Sequence, residues 1–85
     1  MMTTEQFRLE IFQQMKHQGN AKGYRWVFAE YNPFRANMRP SVSLQEFFQL
    51  MQQLCEEGFF ERKEGRFPSF PEYALTELGE QLVYQ

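Results

Sequence analysis

Phe7, Ile11 and Met15 recur at intervals of four behind Thr3 and Thr4, and this spacing predicts a first helix with one apolar face turned inward. Thr3 and Gln6 have the spacing of a capping box, in which two side chains satisfy orphan backbone amides reciprocally. Leu9 and Phe12 widen the apolar surface beyond a single contact, leaving area for an oligomer interface. Gln18-Gly19-Asn20 is expected to end the helix, because Gly and Asn accept the left-handed backbone that closes helices. Tyr24, Val27, Phe28 and Tyr31 then follow at i, i+3, i+4 and i+7, which favours a short second helix; Tyr24, Trp26 and Phe28 also fit strand alternation. This helix is expected to stop at Tyr31-Asn32-Pro33, since the residue before a proline disfavours helical geometry. Asn32 to Ser43, containing Pro33 and Pro40, reads as a long loop.

The third helix has the strongest periodicity. Ser43 is its expected N-cap, with Glu46 three residues on, and Leu44, Phe47, Phe48, Met51, Leu54 and Cys55 make one apolar stripe. Glutamines and glutamates fill the opposite face, and Gly58 closes the helix. Phe59 to Lys63 and Glu72 to Leu75 read as two strands of a hairpin, with Glu64-Gly65-Arg66 as the turn and Pro68 and Pro71 at its tip or on a sheet edge. Thr76 is placed to cap a last helix carrying Leu78 and Leu82. The expected fold class is therefore α+β, mostly α: three helices, a two-stranded hairpin and a C-terminal helix, in one domain over 1–85.

Composition narrows the function classes. Eighty-five residues are enough for one core, and ten Phe, four Tyr and one Trp supply large apolar surfaces for a small domain. Apolar stretches such as Trp26-Val27-Phe28-Ala29 fall far short of the roughly 18 residues that suggest a membrane span. Met1 to Glu5 lacks the basic start and apolar run of a signal peptide, so a cytoplasmic location without membrane association is expected. One cysteine, Cys55, allows no internal disulfide, and with one histidine it cannot form a standard structural zinc site. No second His is available for a Cys/His or Ser/His pair, and no glycine-rich phosphate loop is present. No enzyme, metal site or cofactor is expected. Cys55 reads as an inert thiol on the apolar stripe, His17 as a partner of the first helix's dipole, and Trp26 as a core residue.

The formal net charge is −2, yet the charges segregate. Residues 16–39 carry Lys16, Lys22, Arg25, Arg35 and Arg39 against Glu30 alone. Residues 40–61 carry Glu46, Glu56, Glu57 and Glu61 with no cation, and Arg62, Lys63 and Arg66 follow against Glu64. Basic blocks thus flank an uncharged-to-acidic third helix.

Three segments carry a resemblance. Gly23-Tyr24, then Leu54 to Glu61 (Leu-Cys-Glu-Glu-Gly-Phe-Phe-Glu), then Tyr73 to Gly79 (Tyr-Ala-Leu-Thr-Glu-Leu-Gly) stand in the order and spacing of PadR-type transcriptional regulators, with the related MarR type next. The chain resembles their winged helix-turn-helix DNA-binding domain over about residues 8–83. In that family a tyrosine usually stands ten residues before the closing glycine, where this chain has Phe48. The resemblance implies that helix 43–57 enters the major groove while the wing, 59–75, and nearby loops touch phosphates. Gln45 and Gln49 would pair with adenine and Glu46 would accept from cytosine. Ser41 and Ser43 would hydrogen-bond phosphates, and Arg35, Arg39, Arg62, Lys63 and Arg66 would supply electrostatic contacts. A homodimer through the first helix, the last helix or both is implied as well. The alternative is a winged-helix module that binds protein rather than DNA, through the acidic third helix or the aromatic segment Arg66 to Pro71; a cleft lined by Trp26 and Phe residues that senses a ligand is a third.

Overall fold

Gly23, Gly58 and Gly79 sit where backbone segments meet, and they show how the chain closes on itself. In the computed structural model, which describes residues 2–85, the order is α1 (Thr4–Gln18), β1 (Arg25–Trp26), α2 (Phe28–Ala36), α3 (Leu44–Glu56), β2 (Phe60–Phe67), β3 (Phe70–Leu75) and α4 (Glu77–Val83). The three strands form one antiparallel sheet in the order β1-β3-β2. The fold is α+β and mostly helical.

Both caps of α1 form as expected. Thr3 Oγ1 accepts from the Gln6 amide at 3.1 Å, Gln6 Oε1 accepts from the Thr3 amide at 3.2 Å, and Gly19 closes the helix at φ 69°. Ser43 Oγ likewise accepts from the Glu46 amide at 3.1 Å to start α3. Gly58, at φ 89°, ends the run after α3 and lets Phe59 N donate back to Leu54 O at 3.0 Å. The core lies between the helices and one sheet face: Phe7, Ile11 and Met15 from α1, Phe47, Met51 and Leu54 from α3, and Trp26, Phe60, Tyr73 and Leu75 from the sheet are all buried.

The second helix differs from the sequence expectation at both ends. Arg25 and Trp26 form a strand rather than helix, because β3 provides backbone partners, with flanking bonds from Gly23 N to Leu75 O at 2.8 Å and from Leu75 N to Tyr24 O at 2.9 Å. The strand reading therefore holds for Arg25 and Trp26, and the helical reading holds from Phe28 onward. Pro33 lies inside α2 and does not end it. A proline there loses its own amide bond and crowds the carbonyl one turn back, a cost offset by packing, since continuing to Ala36 sets the Phe34 ring edge-on to Trp26, with centroids 5.3 Å apart. The loop is accordingly shorter, 37–43.

The hairpin turn is also displaced. Phe67 pairs with Phe70, so Pro68-Ser69 is a two-residue tip, and Glu64-Gly65-Arg66 lies within β2 at an irregularity in the register between Lys63 and Phe67. Gly65 marks a close approach, since a Cβ there would collide with the Phe70 carbonyl oxygen. Pro71 sits in β3 opposite the irregular stretch, beyond the reach of the two-residue β1, where its missing amide costs no regular ladder bond.

The last helix is pinned to the turn between α1 and β1. Glu80 accepts from the Lys22 amide at 2.7 Å, and Tyr84 donates to the Asn20 carbonyl at 2.7 Å. Thr76 caps α4 by accepting from Gly79 N at 3.0 Å while donating to Gly58 O at 2.6 Å. Among the described residues no helix is long and apolar enough to cross a membrane.

Candidate nucleic-acid interface

The outward side of α3 has two ridges of different character. Gln45, Gln49 and Gln52, at i, i+4 and i+7, fall on one line of the helix and all three are exposed. Glu46, Gln53 and Glu57 form the neighbouring line, and it turns toward α1: Arg8 bridges Glu57 at 3.7 Å, and Gln53 donates to Glu57 at 3.3 Å. Glu46 sits in the first turn, where the helix dipole favours a negative charge, and is only half-exposed. The central ridge thus carries amides, with Glu56 at its far end. Ser43 belongs to the start of this helix, its oxygen already accepting from the backbone, while Ser41 is exposed in the preceding loop.

The hairpin packs against α3 through β2. Period-two alternation puts Phe60, Arg62, Tyr73 and Trp26 on the sheet face that meets the helices, and Glu61, Lys63, Glu72, Ala74 and Arg25 on the outer face. Arg62 is close enough to Tyr31, Cys55 and Tyr73 for its charge to act on all three. Arg62 and Arg66 both line a hollow of about 280 Å³ beside Gly65, Pro68 and Pro71, together with Glu64. Lys63 does not join them, because it lies on the opposite face and pairs with Glu61 at 2.8 Å. Arg25 occupies that outer face too, bonding Glu72 at 2.9 Å and donating to the Glu64 carbonyl at 3.2 Å, which ties the irregular part of β2 across the sheet. The sequence reading assigned Arg25 no role; its exposed position in an alternating segment was the available signal.

The loop cations divide as well. Arg35 turns inward: Nε and Nη2 donate to Asn32 Oδ1 at 3.1 and 2.9 Å, and Nη1 donates to the carbonyl of buried Val42 at 2.8 Å. Its guanidinium braces the α2–α3 loop against the start of α3. Arg39 is exposed and borders a groove between α1 and α2 with Glu10, Glu30 and Phe34. The arrangement therefore brings Arg62 and Arg66 together on the hairpin, leaves Gln45 and Gln49 exposed on α3, and gives Lys63 and Arg35 partners elsewhere.

Titratable groups around this region are shifted by burial. The Tyr31 phenol is pushed up to about 12, by desolvation first and then by the Glu72 charge, with Arg62 opposing. Tyr73 moves in the same direction for the same leading reason, and Tyr24 by burial together with its 2.6 Å hydrogen bond to Glu30. Burial pushes the Cys55 thiol up, against the nearby Arg62 charge and backbone amide. The thiol and the three phenols therefore stay protonated at neutral pH. No cluster of three metal-ligating side chains occurs among the described residues.

Comparison with protein-family models, with curated proteins and with solved structures finds no match.

Proposed function

We propose that this chain is a winged-helix DNA-binding protein acting as a transcriptional regulator, with α3 in the major groove and the β2–β3 hairpin as its wing. The observation that carries the reading is the exposed amide ridge of Gln45 and Gln49 on α3, together with a hairpin that packs on α3 and carries Arg62 and Arg66 around one hollow. Glutamine presents a donor and an acceptor that match adenine in the major groove, and arginine suits phosphate. The strand inserted between α1 and α2 and the sheet order β1-β3-β2 agree with a winged helix, as do the PadR-like segments. Arg39 and Ser41 would reach the backbone from the loop, and Arg35 would act indirectly by fixing the entry of α3. A homodimer would use the apolar side chains left exposed on α1 and α4, Leu9 and Leu78.

The test is selection from a random duplex pool over several rounds, followed by a salt titration of the enriched sequence. One enriched sequence is expected, with affinity falling steeply as salt rises. Failure to retain any duplex at low salt sinks the reading.

A second reading, a winged-helix module that binds a protein, is favoured by one feature: α3 has no Lys or Arg. Reversing the charges of Glu46, Glu56 and Glu57 to Lys separates the two. Generic DNA affinity rises under the first, and a partner complex is lost under the second.

A further inference from the structure

Ten phenylalanines are distributed over this chain, and nine of them are buried or half-buried. Phe67 is the exception, with 59% of its surface exposed. It is the last residue of β2, immediately before the two-residue tip, and so stands at the far end of the hairpin. Its mount is firm. Phe67 pairs with Phe70 across the last rung, and Phe70 is held by a tilted stack on Phe28 with centroids 4.1 Å apart. Behind Phe67 lies a cleft of about 340 Å³ bounded by Phe28 and Phe70, which the ring borders without filling. Arg66 lines both this cleft and the hollow it shares with Arg62, so one end of the hairpin carries an exposed aromatic ring next to a cation that no acid engages among the described residues.

A cation beside a projecting apolar side chain is the combination that enters a minor groove: the groove's negative potential attracts the arginine, and the wedge slides between two base pairs and unstacks them. An aromatic ring inserted in this way is covered on both faces, which offsets the loss of stacking. We infer that Phe67 is such a wedge, unstacking one base step where the hairpin meets the duplex and kinking the DNA there, while Arg66 holds the groove. The inference rests on the DNA-binding reading and adds to it a deformation of the target. It also assigns specificity to a position that no hydrogen bond reads, because pyrimidine–purine steps open most easily.

The experiment uses the full chain and a selected duplex carrying 2-aminopurine at successive positions in turn, with dyes on the two ends of a second copy to report bending. Phe67→Ala, Phe67→Leu and Arg66→Gln variants are compared with the parent after circular dichroism shows them folded, which the exposed position of both side chains favours. The expected result is brightening of 2-aminopurine at one step and a bend of about 20–90° with the parent and with Phe67→Leu. Both signals should vanish with Phe67→Ala while its salt slope stays that of the parent; Arg66→Gln should lower the slope instead. If the parent binds the duplex without brightening, or Phe67→Ala brightens it equally, the wedge is overturned and DNA binding stands. If no duplex is retained at any salt concentration, the wedge falls together with the reading beneath it.

Discussion

Tyr31 donates its hydroxyl hydrogen to the carbonyl of Pro71 across 2.7 Å, fully out of solvent. That bond joins α2 to the central strand at the point where the hairpin leaves the core. The same ring stacks on Phe47 of α3 at 5.0 Å and meets Trp26 and Tyr73 of the sheet at 5.8 and 5.7 Å. One side chain therefore relates the proposed recognition helix to the proposed wing.

Tyr31→Phe keeps the ring and removes only the hydroxyl. It is expected to lower stability by about 1–2 kcal/mol, because a buried hydrogen bond is lost and its acceptor stays enclosed. Urea unfolding should show a lower midpoint with an unchanged slope. An unchanged midpoint would mean that the bond contributes nothing net.

Alkali should unfold the protein through these phenols. Burial raises Tyr31 from 10.0 to about 12 and moves Tyr24 and Tyr73 the same way, so the folded state holds these protons more tightly than the unfolded chain does. The stabilisation is complete below about pH 10 and is lost as pH rises through the folded value. In a Tyr84→Phe background, phenolate absorbance and the loss of near-ultraviolet dichroism should rise together. Phenolate appearing near pH 10 in a chain that is still folded would contradict this.

Gly79 reverses a common rule. Alanine normally stabilises a helix by about 1 kcal/mol relative to glycine. At position 79, however, a Cβ would collide with the Phe59 carbonyl oxygen and come within 2.8 Å of Leu75 Cδ1. Gly79→Ala is expected to destabilise by roughly 1–3 kcal/mol as α4 is pushed from the sheet. A rise in thermal midpoint would show that α4 does not need this contact.

The two faces of the hairpin should separate in a salt titration. Arg62→Ala and Arg66→Ala should each reduce the dependence of log affinity on log salt by about 0.9 if each arginine meets one phosphate. Lys63→Ala, on the face where Lys63 pairs with Glu61, should leave the slope unchanged. Equal effects from all three would mean that DNA approaches across the outer face of the sheet.

Local chemistry accounts for the parts that sequence reading placed well. The Thr3 and Ser43 caps, the Gly19 closure and the α3 stripe all depend on residues within a few positions of one another, and each lies where its spacing put it. The misplaced boundaries share a different cause. Arg25 and Trp26 are extended because Ala74 and Tyr73, some fifty positions later, complete their ladder. Pro33 stays helical because Phe34 packs on Trp26, and Glu64-Gly65-Arg66 remains in a strand because the Phe67–Phe70 pair moves the turn outward.

For the candidate interface the division is similar. Sequence alone determined which side chains are available: glutamines opposite an apolar stripe, and basic residues before and after it. Only the tertiary structure decided how they are grouped, since strand alternation sends Arg62 toward α3 and Lys63 away from it, and Val42 and Asn32 draw Arg35 inward. A charge is written in the chain, but its direction depends on the partner its backbone finds, and that partner lies far off in sequence.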